Sequence, residues 1–148
     1  MEEYYYPIVL ILHVFGALIF GGAVFFEVLI LESMRSRVSN RFMDAVESLV
    51  ARRARELMPW VLLVLYGAGM SMVALRYWPL LMDPMNSRFG LLLWIKIILA
   101  TSVFGHFCTA MYLRSTGRLV SKYFQRIHFS VFTHIVLIVF IAKAMFYV

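Results

Sequence analysis

Charged residues are scarce in this chain of 148 residues, and cysteine is almost absent. Charged side chains make up 15% of the sequence and hydrophobic side chains 63%, whereas a soluble domain has about a quarter charged and about half apolar residues. This imbalance excludes an ordinary soluble domain and predicts that lipid is the solvent of most side chains. Cys108 is the single cysteine, so a disulfide framework within the chain is also excluded.

The sequence lacks the alternating apolar and polar pattern that membrane β-strands require. Its apolar runs are continuous, and a helix needs about 20 such residues to cross a bilayer. We therefore expect an all-α fold, an integral membrane four-helix bundle that forms one transmembrane domain over residues 1–148. The predicted spans are residues 7–31, 57–78, 89–113 and 127–148.

Two segments connect the first three predicted spans. Residues 33–56 carry apolar side chains at helical spacing with charged residues between them, which predicts an amphipathic cytoplasmic helix. This helix either lies at the membrane interface or extends the spans into water. Residues 79–88 contain two prolines, and we expect a short irregular loop there.

The net charge of +6 is concentrated in two loops, so it does not indicate nucleic-acid binding. Most of the basic residues lie between the first and second spans and between the third and fourth. Because lysine and arginine mark cytoplasmic loops, both of these loops should face the cytoplasm and both termini the outside. The expected location is a bacterial inner (plasma) membrane, with the lipid bilayer as the main partner and periplasmic termini.

No histidine lies in a predicted loop. Ionisable groups inside a span are costly and usually face the bundle interior or a cavity, so intramembrane histidines are candidate functional residues. The helical rise of about 1.5 Å per residue predicts two clusters at different depths. The inner cluster combines His106 with His128 or His134, and the outer cluster combines His13 with Lys96 and Lys143.

Small residues accompany two of these histidines, since Gly16 follows His13 by three positions and Gly105 precedes His106. A flat porphyrin needs a neutral imidazole nitrogen and a gap wide enough for its edge. This pattern predicts one or two haem b groups. No CxxCH sequence occurs, which excludes covalent attachment. The iron-ligand candidates are His13, His106 and His134, and the wider cofactor-binding candidates add His128, Lys143 and Gly16.

His128 and His134 differ by about 240° around a helix, so both cannot point at the same site. Lys96 and Lys143 are able to snorkel to the outer surface or to pair with haem propionates. Glu27 is near enough to the basic loop to pair with an arginine, and a proton or redox role is the alternative. The catalytic candidates are Lys96 and Glu27.

The polar residues are also compatible with copper binding or with a purely structural role. Copper would favour soft sulfur ligands, although methionines also serve as adaptable packing. In the structural role, the histidines only form interhelical hydrogen bonds, which are worth around 1 kcal/mol each. The candidate copper ligands are Met70, Met72, Met82, Met85 and Cys108.

Two stretches, LHVFGALIFGG (residues 12–22) and WIKIILATSVFGH (residues 94–106), resemble the HemJ and CopD families of bacterial membrane proteins. Leu12-His13, Lys96 and His106 match positions of these families, and Lys143 resembles a lysine near the end of the last HemJ span. The resemblance to HemJ implies haem b binding and oxidation of protoporphyrinogen IX; the resemblance to CopD implies copper uptake. It marks His13, Lys96 and His106 as functional positions.

The resulting expectation is a haem b-binding integral membrane redox protein. Its activity would be HemJ-like oxidation of a porphyrinogen or electron transfer linked to a quinone, with another redox protein as partner. Copper handling of the CopD kind is the alternative. The sequence is also compatible with a homo-oligomer.

Overall fold

The structure is a computed structural model that describes residues 2–118 and 121–147. All regular secondary structure in these residues is helical. The chain divides into two compact units, Met1–Tyr77 and Trp78–Val148. The predicted single transmembrane domain stays a prediction, because each unit is compact by itself.

Unit 1 is a helical hairpin. Its first arm begins with α1, Glu2–Phe25, and continues through a π-helical segment, Phe26–Leu31, into the short α2, Glu32–Met34. Its second arm is α3, Asn40–Met72, followed by a second π-helical segment, Val73–Tyr77. π-helical turns inside α-helices are uncommon and often occur at functional sites.

The two arms of unit 1 are antiparallel and approach each other closely at a glycine. A Cβ atom built on Gly16 would lie 3.1 Å from Cβ and 3.2 Å from Cα of Leu65. At one end the phenol oxygens of Tyr6 and Tyr77 are 2.9 Å apart. At the other end Arg35 pairs with Glu47. Contacts at both ends and in the middle fix the register of the hairpin.

Most of the predicted amphipathic segment, residues 33–56, is helical, but residues 35–39 form a turn between the two arms of the hairpin. α3 begins at Asn40, where the Ser39 hydroxyl accepts a hydrogen bond of 3.3 Å from the backbone N–H of Phe42. The helix runs without a break through 33 residues, or about 50 Å, against a hydrocarbon thickness of about 30 Å. The segment is therefore continuous with the second span, and a separate helix at the interface does not fit. Beside it, the hydrogen bond to Glu32 raises the pKa of Arg35.

Unit 2 contains α4, Trp78–Met82, a 3-10 turn, Pro84–Asn86, and the long helices α5, Arg88–Ser115, and α6, Ser121–Ala144. The prediction of an irregular loop over residues 79–88 was wrong, because most of this segment forms helical turns. Proline is tolerated in the first turn of a helix. Pro79 and Pro84 each lie in the first turn of a short helical segment, so both prolines are compatible with helical structure here.

The fourth predicted span, residues 127–148, overlaps α6 over most of its length, and the helix begins and ends a few residues earlier. α6 begins at Ser121 and ends at Ala144, with a turn over residues 145–146. The hydrophobicity of the sequence indicates which residues suit lipid, but backbone hydrogen bonding determines where a helix begins. The polar residues that precede the apolar run therefore also belong to α6. Val148 lies outside the described residues.

α5 and α6 form the antiparallel hairpin of unit 2. The Ser87 hydroxyl caps α5 by accepting a 2.9 Å hydrogen bond from the N–H of Gly90. Val103 of α5 and Val131 of α6 are buried, with 3% and 6% of their surface exposed. Just after the C-terminal end of α6, the ring of Phe146 contacts the ring of Phe89 edge to face, with 5.5 Å between the ring centroids.

Four helical stretches in the described residues are long and apolar enough to cross a membrane, which confirms the all-helical class and the number of candidate spans. Their placement in a bilayer, the bundle arrangement and the outer location of the termini stay predictions. The stretches are Glu3–Met34, Asn40–Met82, Arg88–Ser115 and Tyr123–Ala144.

Candidate functional site

Two of the four histidines meet between α5 and α6. The ring centroids of His106 and His134 are 5.3 Å apart and the ring planes are tilted by 54°, within the contact range of aromatic pairs. Each ring bonds to a serine of the opposite helix. The Nε2 atom of His106 is 3.0 Å from Oγ of Ser130, and Nε2 of His134 is 3.2 Å from Oγ of Ser102.

Backbone carbonyls fix the tautomer of both imidazoles. Nδ1 of His106 is 2.7 Å from the carbonyl oxygen of Ser102, and Nδ1 of His134 is 2.7 Å from the carbonyl oxygen of Ser130. A carbonyl only accepts hydrogen bonds, so Nδ1 carries the proton in both rings. In the neutral rings Nε2 then accepts the hydrogen bond that the opposite serine hydroxyl donates. A metal-ligating histidine is oriented in the same way, with one N–H on a carbonyl and the other nitrogen available as a base.

The two halves of this arrangement repeat one sequence. Residues 102–106 read SVFGH, and residues 130–134 read SVFTH. In each copy the valine is buried between the helices, the serine bonds to the other helix, and the histidine bonds to the carbonyl four residues earlier. Since the helices are antiparallel, the two copies are related by an approximate twofold rotation. The repeat was not predicted, and a comparison of short segments on the two helices would have found both serines.

We expect these serine–histidine contacts to couple the two helices energetically. Interhelical polar contacts in membranes average about 0.6 kcal/mol and reach about 1.7 kcal/mol in double-mutant cycles. A cycle that combines Ser102→Ala with His134→Ala should give a coupling free energy of unfolding in this range. Ser115→Ala is the control, because the Ser115 hydroxyl bonds within its own helix, to the Tyr112 carbonyl. Zero coupling for Ser102 and His134 would contradict the hydrogen bond.

One of the two histidines also lines an open groove on α6. The groove has a volume of about 550 Å³ and is lined by Arg126 and Gln125 toward one end and by Leu137 at the other. His134, Ser130, Thr133 and Phe129 line it between these ends. Arg126 lies about 12 Å from His134 along the helix axis. The groove therefore presents an imidazole, a cation and apolar side chains on one helix face, while His106 does not line it.

A porphyrin does not fit between His106 and His134. The rings contact each other, and both Nε2 atoms are engaged by serine, so no layer remains for a flat macrocycle between them. These two residues are therefore not the two axial ligands of one iron in this arrangement. Of the two, only His134 also borders the open groove, where Arg126 lies about 12 Å away along the helix axis.

His128 forms a hydrogen bond and a ring contact within its own helix. Its Nδ1 atom is 2.9 Å from the carbonyl oxygen of Phe124, and its ring lies 4.0 Å from the ring of Phe124, centroid to centroid. Of the two partners predicted for His106, the structure thus brings His134 to it and places the Nδ1 atom of His128 on its own helix.

His13 lies in unit 1, at the contact of α1 with α3. Nδ1 of His13 donates to the carbonyl oxygen of Leu65 over 2.9 Å, and a Cβ atom on Gly69 would lie 3.2 Å from Cε1 of its ring. The gap that Gly16 was expected to leave is occupied by Leu65. A macrocycle at Gly16 would have to displace α3, although the cofactor-binding role of His13 and Gly16 stays a prediction.

None of the remaining charged candidates is among the residues that line the groove in the described part of the chain. Lys96 is half-buried on α5, and Lys143 is exposed, with Nζ 5.7 Å from the ring centroid of Tyr147. Glu27 lies in the first π-helical segment, and its Oε2 atom is shielded from solvent. The roles predicted for these three residues in catalysis and in propionate binding stay predictions.

Four of the five candidate copper ligands are exposed. Met70, Met82 and Met85 are 73%, 60% and 84% exposed, and Cys108 is exposed on α5. Among residues 2–118 and 121–147, no three side chains of histidine, cysteine, aspartate or glutamate form a group that would hold a metal ion.

Comparisons with protein-family models, with curated proteins and with solved structures gave no match to the chain.

Proposed function

We propose that the chain is an integral membrane redox protein that binds haem b in the α6 groove, with His134 as iron ligand. The observation that carries this proposal is the position of His134. Its Nδ1 proton is held by the Ser130 carbonyl at 2.7 Å, and its ring borders an open groove of about 550 Å³ that also contains Arg126.

Each part of the groove has a separate task in this proposal. The Ser130 carbonyl orients the imidazole and increases its basicity, as hydrogen-bond acceptors behind metal-bound histidines do. The Ser102 hydroxyl is 3.2 Å from Nε2, and it would have to give up this hydrogen bond if that nitrogen held the iron. Arg126 would pair with a propionate by charge-assisted hydrogen bonds, and Phe129 and Leu137 would offer apolar surface to the cofactor.

The bound haem supplies one-electron chemistry. The substrate class follows from the resemblance of Leu12-His13, Lys96 and His106 to HemJ positions, which supports oxidation of a porphyrinogen. Electron transfer between a quinone and another redox protein is the second form of the same function. In both forms the chain acts in a bacterial inner membrane, where Lys96 and Glu27 are the candidates for moving or holding protons.

A spectrum of the purified protein tests this proposal. Protein made in haem-sufficient cells should show a Soret band and, after reduction with dithionite, a sharp α-band. Metal analysis of the same sample should find iron. A colourless preparation would contradict the proposal, and copper without iron would favour the CopD-like alternative.

A further inference from the structure

We propose that one face of α3 binds the same face of a second copy of this chain, so that two hairpins of unit 1 form a parallel dimer. The face is a row of side chains on α3 that recur every seven positions. A seven-residue period is typical of helices that pack side by side in a left-handed supercoil. The members of this row, the α3 stripe, are Phe42, Leu49, Glu56, Leu63 and Met70.

The α3 stripe lies on the side of α3 that points away from α1. Leu65 marks the side that contacts α1, because a Cβ atom on Gly16 would lie 3.1 Å from its Cβ. At 3.6 residues per turn, Leu49 and Leu63 each point about 160° away from Leu65 around the helix axis. The four apolar members of the stripe are 53%, 66%, 64% and 73% exposed in chain order. The hairpin contact therefore leaves this face available.

Lipid tails cannot cover the whole α3 stripe. The helix is about 50 Å long, and a bilayer has a hydrocarbon thickness of about 30 Å. With the second span at its predicted place, residues 57–78, Leu49 lies about 12 Å and Phe42 about 22 Å beyond the hydrocarbon layer along the helix axis. Exposed apolar side chains that continue in one line from lipid into water indicate an interface with protein.

Charged side chains occupy the middle of the same face. The Glu56 carboxylate is 3.1 Å from Nη1 of Arg53 and 3.8 Å from Nε of Arg52, so an acidic side chain lies between two basic ones. All three side chains are more than half exposed. When two copies of this face meet in parallel, each carboxylate lies beside arginines of both copies, and the charges are complementary across the interface.

This pattern favours a second copy of the chain over an unrelated protein. Copies inserted into a membrane with one topology are parallel, and a twofold axis along the helices places each residue opposite its own equivalent. The apolar ends of the α3 stripe then pair with each other, and the charged middle of one copy lies at the level of the charged middle of the other. A face with this arrangement is complementary to itself.

Cysteine cross-linking of the full-length protein in membranes tests the dimer, with Cys108 replaced by serine in every variant. Leu49→Cys should shift to twice the monomer mass under mild oxidation, because equivalent residues of the seam come within the distance that a disulfide requires. Ser48→Cys is the matched control, since this exposed neighbour points about 100° away around α3. The control should stay monomeric.

A second pair of variants tests the same face without cysteines. Leu49→Asp should lower the dimer fraction measured by energy transfer between labelled copies in liposomes, because it places like charges opposite each other in an apolar contact. Ser48→Asp adds the same charge outside the α3 stripe and should leave the dimer fraction unchanged. Circular dichroism of both variants checks that α3 stays helical.

The two measurements give a clear decision. Cross-linking at Leu49 but not at Ser48, together with loss of energy transfer in Leu49→Asp alone, would support the dimer. Equal cross-linking at both positions would overturn it, because random collisions do not distinguish faces of a helix. Monomers in both cysteine variants, or unchanged energy transfer in Leu49→Asp, would also overturn it and assign the face to unit 2, to another protein or to lipid. Neither readout depends on haem.

Discussion

Replacement of His134 by alanine is expected to abolish haem retention by the purified protein. The substitution removes the imidazole that lines the α6 groove among the described residues. Mutation of a residue that hydrogen-bonds to a metal-ligating histidine lowers metal affinity by about 10–100-fold. Removal of the ligating histidine itself should lower the affinity for haem by a larger factor. The measurement is the haem-to-protein ratio from the pyridine haemochrome spectrum after identical expression and purification.

Folding of the variant must be separated from haem binding. His128→Ala provides the matched control, since it also removes an imidazole from α6 but one that bonds to the Phe124 carbonyl. The control should keep its haem, and both variants should elute as folded protein in size-exclusion chromatography. If His134→Ala keeps haem and His128→Ala loses it, the assignment of the ligand is wrong.

Replacement of Gly16 by valine is expected to destabilise unit 1 by about 1–3 kcal/mol, the usual cost of forcing extra atoms into a packed contact. A Cβ atom added at this position would lie 3.2 Å from Cα of Leu65. The Leu65 backbone cannot relieve this contact by changing rotamer, as a flexible side chain could. The two γ-methyl groups of valine add to this conflict. The free energy of unfolding in mixed detergent micelles measures the effect.

Gly22→Val is the control for this substitution. Gly22 belongs to the same helix, and a Cβ atom there meets nothing within 4 Å. Both variants carry the same change in helix propensity, so the difference between them reports the packing of α1 on α3. Equal stability of the two variants would show that the close approach of Gly16 to Leu65 does not contribute to folding.

The hydrogen bonds of the histidines bear on the choice between a structural and a functional role. His13 and His106 each connect two helices, through the Leu65 carbonyl and the Ser130 hydroxyl. Such contacts account for a histidine between two apolar helices without any cofactor. His134 differs because it has an interhelical contact and also borders an open groove. The haem proposal therefore depends on His134 more than on the remaining histidines.

The α5–α6 repeat shows how much of the site could be predicted from the sequence. The position of His106 and His134 within long apolar helices was predictable, because both residues lie in continuous apolar runs of the sequence. The partnership with Ser102 and Ser130 was not predicted, although SVFGH and SVFTH stand 28 positions apart in the sequence. The helical period predicts the direction in which a side chain points around the axis of its helix. It does not predict which neighbouring helix that side chain contacts.

The sequence by itself determined that the chain is helical, that four stretches suit a bilayer, and that most of residues 33–56 form a helix. Lipid imposes these features locally, because each span must satisfy its own backbone and have enough apolar length. Only the tertiary structure decided that Leu65 fills the space at Gly16 and that His106 meets His134. Those contacts depend on the register of two antiparallel helices, which is set by packing between residues far apart in the chain.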